Sequence, residues 1–121
     1  RKQLGKDAVV TRGIDNCLVL YPMKEWGTMS DKLGKLPASQ LEARGFARIM
    51  LAGAAEVLFD GLGRILIPEY LKNYALLKRN VVITGLYNRL EIWDEVRWEG
   101  YKQNVEKEVG DFASKLGELG I

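Results

Sequence analysis

The chain has 121 residues, of which 47% are apolar and 28% charged, with a formal net charge of +2; this lies well away from disorder and suffices for one domain, or a compact pair of similar units, around a real core. It has no histidine and a single cysteine, Cys17, which excludes an internal disulfide, the usual zinc constellations and the familiar catalytic triads, so no metal or cofactor is expected. There is no apolar run long enough for a membrane span and no signal-peptide pattern, so the expected location is cytoplasmic, with no membrane partner.

The first recognisable unit is "LGKDAVVTRGIDNCLVLYPMKEW", residues 4 to 26. It reads as a β-branched strand, a turn at Asp15-Asn16, an alternating strand, and Trp26 on the first turns of a helix. Trp26, Met29, Leu33 and Leu36 then recur at three and four. After Pro37, with Ser39 as the expected N-cap, Leu41, Phe46, Ile49, Met50 and Gly53 mark one face of a second helix. "AEVLFDGLGRILIPEYLKNYA" follows as strand, polar loop, strand and a short helix that Pro68 helps to start. "LLKRNVVITGLYNRLEIWDEVRW", residues 76 to 98, is a second hairpin turning at Tyr87-Asn88. Asparagine tolerates a left-handed backbone, so Asn16 and Asn88 are read as turn residues. Last, Trp98, Tyr101, Val105, Val109, Phe112, Leu116 and Leu119 keep a four-and-three rhythm on a C-terminal helix. Gly110 and Gly117 weaken that helix by about 1 kcal/mol each, which points to packing on the chain's own core or on a subunit.

The two hairpin units are copies. At an offset of 72 residues, 8 of 23 aligned positions are identical, where chance gives roughly one or two. Residues 1–26 are therefore read as the remainder of a first repeat, 22–53 as a bridging helical hairpin, 54–98 as a second repeat and 94–121 as the C-terminal helix. The repeat offset places a twin of Asp60–Arg64 about a dozen to eight residues ahead of Arg1, so an N-terminally shortened chain is expected.

Chemistry concentrates in "FDGLGRILIP". It lacks the Lys-Ser/Thr of a Walker loop and the third glycine of a dinucleotide fingerprint, and it leads into an extended segment rather than a helix. Asp60 with Glu56 has no nucleophile beside it, and Cys17 has no activating base. What remains is a tight loop in which Gly61 and Gly63 ease the backbone, Asp60 accepts from the loop's own amides, and Arg64 presents a guanidinium suited to phosphate or to guanine. A plain surface ion pair between Asp60 and Arg64 is the bland alternative. Residues 1 to 93 carry 14 Lys+Arg against 9 Asp+Glu, and residues 94 to 121 carry 4 against 7. The body is thus basic and the tail acidic, which is compatible with a polyanion partner.

Together with "TRGIDNCLVLYPMKEW", "GAAEVLFD" and "LYNRLEIWDEVRWEGY", the segment "DGLGRILIP" resembles the MraZ family within the AbrB-like group of transcription factors, over nearly the whole chain. The resemblance implies an α+β fold of two AbrB-like swapped-hairpin β units, forming an intramolecular pseudo-dimeric barrel with peripheral helices. It implies a ring-like homo-oligomer of octamer-like size, nucleoid association, and repression through promoter direct repeats of the bacterial division and cell-wall gene cluster. The partner it implies is double-stranded DNA, with no small-molecule substrate. Its D-x-x-x-R motif falls on Asp60 and Arg64: Arg64, Gly61, Leu62 and Gly63 become the DNA-facing residues, with Asp60 in support. The alternatives are an oligomeric scaffold built on the stripe of Trp98, Tyr101, Val105, Val109 and Phe112, or an AbrB-like antitoxin; an enzyme is least favoured.

Overall fold

The computed structural model describes residues 6–120. In chain order the elements are β1 (Asp7–Arg12), β2 (Leu18–Pro22), α1 (Met23–Gly34), α2 (Leu41–Ala52), β3 (Ala55–Leu58), α3 (Glu69–Ala75), β4 (Val81–Leu86), β5 (Arg89–Asp94) and α4 (Glu95–Gly117). The strands form a single antiparallel sheet in the order β3-β1-β2-β5-β4. Both hairpins form where β-branched runs flank a turn, and they meet through β2 and β5 in the register Leu18↔Ile92, Val19↔Glu91, Leu20↔Leu90. At the repeat offset these pairs map onto one another about Val19↔Glu91, so the two copies are joined by an internal two-fold. β3, which lies in the second repeat, pairs with β1 of the first, from Asp7↔Leu58 to Val10↔Ala55.

The alternation of the strands gives the sheet two buried faces. One carries Ala8, Val10, Leu18, Leu20, Val57 and Ile92, closed by Leu71 and Ala75 of α3 and by half-buried Phe59, Ile65 and Ile67. The other carries Val9, Thr11, Val19, Tyr21 and Trp93, all buried. Here Thr11 Oγ1 donates to the Met50 carbonyl at 2.9 Å and ties β1 to α2. The repeats brace their helices in the same way on this face: Tyr21 meets Trp26 with ring centroids 5.6 Å apart, and the equivalent Trp93 meets Trp98 at 5.3 Å. Asp94 caps α4, accepting from Arg97 N–H at 3.4 Å, while its other oxygen accepts from Lys78 N–H at 3.1 Å.

Three features differ from the sequence reading. The sheet is open, with β3 and β4 as its edges, so the described residues do not close a barrel. Ile65–Ile67 are extended but belong to no strand. The turn before them is closed by Asp60 N–H to Arg64 O (2.9 Å), while Arg64 N–H is taken by the Asp60 carboxylate and Asp60 O by Gly63 N–H. The N-cap of α2 is Gln40 rather than Ser39, and no side chain caps it. The expected twin of Asp60–Arg64 lies ahead of Arg1 and so outside the described residues.

The copies also differ in register by one residue. In the first hairpin Arg12 pairs with Leu18 and Gly13 N–H donates to Cys17 O at 2.7 Å, leaving a three-residue loop; in the second, Leu86 pairs with Arg89 across the two residues Tyr87-Asn88. A one-residue slip turns a strand over. Val81 and Ile83 of β4 accordingly share a cleft with Leu20, Leu90 and Ile92, whereas their counterparts in β1, Val9 and Thr11, lie on the opposite face. The equivalent glycines then see different surroundings. A Cβ on Gly13 would lie 2.8 Å from Cys17 Sγ and 2.9 Å from Val19 Cγ2, while one on Gly85 meets only Leu90 Cδ2, at 3.8 Å. Gly13→Ala should therefore destabilise by about 1–3 kcal/mol in urea unfolding, and Gly85→Ala should stay within about 0.5 kcal/mol of wild type. Equal losses at the two positions would contradict the register difference.

Candidate nucleic-acid interface

The loop from Asp60 to Arg64 is a three-residue hairpin connection. Gly63 N–H donates to Asp60 O at 3.0 Å, Gly63 takes φ 78°, and Asp60 N–H returns to Arg64 O at 2.9 Å. The Asp60 carboxylate organises the rest: Oδ1 accepts from Leu62 N–H at 2.9 Å and Arg64 N–H at 2.8 Å, and Oδ2 accepts from Arg64 Nε at 2.8 Å. Asp60 and Arg64 are 44% and 71% exposed in their side chains. So exposed an ion pair contributes only about 0–1 kcal/mol to stability. Its effect is geometric: Nε is fixed, and the two terminal nitrogens of Arg64 have no partner among the described residues. An end-on guanidinium fork stands at a set position on the surface, beside Leu62 at the loop tip, which is 76% exposed.

Only one of the two loop glycines is required by the backbone. Gly63 sits in the left-handed region that side chains avoid. Gly61 lies outside that region, and a Cβ built on it meets nothing within 4 Å.

Both ends of the loop are anchored to elements that precede it in the chain, the first hairpin and the end of α2. Upstream, Phe59 N–H donates to Lys6 O at 2.9 Å. Downstream, α3 presents Tyr70, whose hydroxyl donates to Gly53 O at 2.9 Å, and Tyr74, whose hydroxyl donates to Gly13 O at 2.6 Å under the Arg12 guanidinium, 5.0 Å from the ring. Sequence reasoning passed over these two tyrosines; their i,i+4 spacing on the helix after Pro68 is the signal that marks a shared face.

The other singled-out residues lie apart from the loop. Asn16 has φ 58° and donates from Nδ2 to Tyr74 O at 3.2 Å. In the second turn Tyr87, not Asn88, takes the positive φ, and Asn88 Nδ2 donates to Glu25 Oε2 at 3.2 Å. Trp98 meets Trp93 edge-on and Tyr101 lies tilted against it, but α4 has no fully buried residue. Cys17 is fully buried, with Sγ donating to Ile14 O at 3.1 Å. Burial above all, then the Glu91 and Asp15 charges, push its thiol up to about 12.

Two matches to the family model described as "MraZ protein, putative antitoxin-like" cover residues 1–49 and 50–115. The chain is 46% identical over 121 residues to the "Transcriptional regulator MraZ" of Halothermothrix orenii, and 42% identical over 121 residues to that of Natranaerobius thermophilus; in each case all of this chain aligns with 85% of the relative. It is 43% identical over 122 residues to the protein of the same name from Clostridium tetani, covering all of this chain and 84% of the relative.

Two measurements check this geometry. Gly63→Ala should cost about 1–2 kcal/mol in urea unfolding, and Gly61→Ala should change stability by less than about 0.5 kcal/mol; the reverse order would contradict the loop conformation. Native Cys17 should resist thiol reagents at pH 8. Because its folded pKa is raised, its contribution to stability is complete below the ordinary value of 9.0 and is lost as pH rises toward about 12. Stoichiometric labelling of folded protein at pH 8 would contradict the burial.

Proposed function

This chain belongs to the MraZ family, and on that premise we propose that it is a transcription regulator that binds double-stranded DNA through the Asp60–Arg64 loop. The observation that carries the reading is the Arg64 guanidinium, held at Nε by Asp60 on an exposed loop, with its terminal nitrogens unpaired among the described residues. A preset fork of this kind meets the O6/N7 edge of guanine, or a phosphate, without first losing rotamer freedom. Leu62 at the tip offers apolar contact to a thymine methyl, and Gly61, with open space where a side chain would stand, lets the backbone approach the duplex.

The site read is a set of short direct repeats in the promoter of the division and cell-wall gene cluster, where the protein acts as a repressor and associates with the nucleoid. It does so as a ring-like homo-oligomer of octamer-like size. Head-to-tail subunits present the same loop in the same sense, which suits direct repeats better than palindromes, and individually weak contacts add through multivalency. An AbrB-like antitoxin is less well supported, because residues 95–117 form a continuous helix rather than an unstructured toxin-wrapping tail.

Arg64→Ala should weaken binding to a fluorescent direct-repeat duplex by about ten- to a hundredfold per loop engaged, on the scale of one good base contact, with oligomer mass unchanged. Arg64→Lys should not restore it, since an ammonium lacks the fork. Undiminished affinity in Arg64→Ala would remove Arg64 from the DNA interface.

A further inference from the structure

α4 has an apolar stripe whose far half no described residue covers. Trp98 and Tyr101 are engaged by Trp93, and Val105 is half-buried, but Val109 and Leu119 are 59% and 75% exposed, with Phe112 and Leu116 only somewhat better covered. Such a stripe, on a helix that runs unbroken through Gly110 to Gly117 despite their poor helix propensity, calls for a partner surface. The same segment is acidic, with 7 Asp+Glu against 4 Lys+Arg over residues 94–121. Glu108 stands three residues after Val105 and four before Phe112, so it borders the stripe, and neither it nor Asp111 makes an ion pair among the described residues.

The opposite character is found between the first hairpin and α2. A groove of about 320 Å³ is lined by Ile14, Tyr21, Met29 and Phe46, with Arg12, Arg89 and one acid, Glu91, at its margins; the Glu91 carboxylate accepts from Trp93 Nε1 at 3.0 Å. It continues along Ile49 and Asp15, and Arg12 joins it to a smaller hollow that includes Arg48, so three arginines stand against two acids around it. Ile14, Phe46 and Ile49 are substantially exposed. Among the described residues Arg12, Arg48 and Arg89 form no ion pair, and Arg12 Nε is buried without an acceptor.

We propose that this groove receives the distal half of α4 from a second copy of the chain, Val109, Phe112 and Leu116 filling it while Glu108 and Asp111 face the arginines at its rim. This rests on the homo-oligomer reading above and names the two surfaces that make it. Pairing of α4 with its own symmetry mate is the weaker solution, since it sets Glu108 and Asp111 against like charges and leaves the basic groove unmatched. A contact between two different surfaces repeats head to tail, and a rotation that closes it gives a ring.

Mixing two variants tests the proposal. Phe112→Asp spoils the helix and spares the groove; Phe46→Asp spoils the groove and spares the helix. By light scattering on the full chain, with folding checked by circular dichroism, each variant alone should have the mass of one protomer, and an equimolar mixture should reach two protomers and stop. If Phe46→Asp does not fold, Arg48→Glu, on an exposed helix position, replaces it in the mixture. An oligomer that survives either Phe substitution, or a mixture that stays monomeric, overturns the pairing while leaving the homo-oligomer reading intact. A monomeric wild-type protein overturns both.

Discussion

Three residue pairs, Leu18 with Ile92, Val19 with Glu91 and Leu20 with Leu90, hold the two hairpins side by side across an internal two-fold. The rest of the fold follows from this join. It sets β1 and β4 on the outer sides of β2 and β5, and it leaves β1 with a free edge onto which β3 docks. Because β3 leads through Phe59 into Asp60, the pairing of Asp7 with Leu58 fixes where the Asp60–Arg64 loop leaves the sheet. The aromatic braces at Tyr21–Trp26 and Trp93–Trp98 then set the departure of α1 and α4 in the two copies alike.

Within the loop the decisive atom group is the Asp60 carboxylate. It answers two backbone N–H groups and one guanidinium N–H, so a five-residue turn holds its shape with little help from the core. At this exposure the pair adds little to stability. The loop is better understood as a mount for Arg64, secured upstream through Phe59 and downstream through Tyr70 and Tyr74.

Much of this was legible in the residues. The 72-residue offset located both hairpins and matched the aromatic positions 21/93 and 26/98, and the types at Asp60, Gly63 and Arg64 were enough to describe a self-bonded turn. What local pattern does not carry is long-range pairing. The one-residue register difference depends on whether Gly13 or its equivalent closes the loop, a choice made by packing around Cys17 and Val19. The open sheet, the lack of a strand over residues 65–67 among the described residues and the Gln40 N-cap likewise depend on which partner lies alongside, and the groove at Phe46 is assembled from elements distant in sequence. Gly61 and Gly63 look alike in sequence, yet only Gly63 needs its missing side chain for the backbone.

The central claim, that Asp60 and Arg64 work as one device in which the carboxylate acts through the guanidinium, is tested most directly by a double-mutant cycle for binding to a direct-repeat duplex. The affinities of wild type, Asp60→Ala, Arg64→Ala and the double variant are compared at one salt concentration. The account predicts that the double variant binds no more weakly than Arg64→Ala alone; losses that simply add would contradict it.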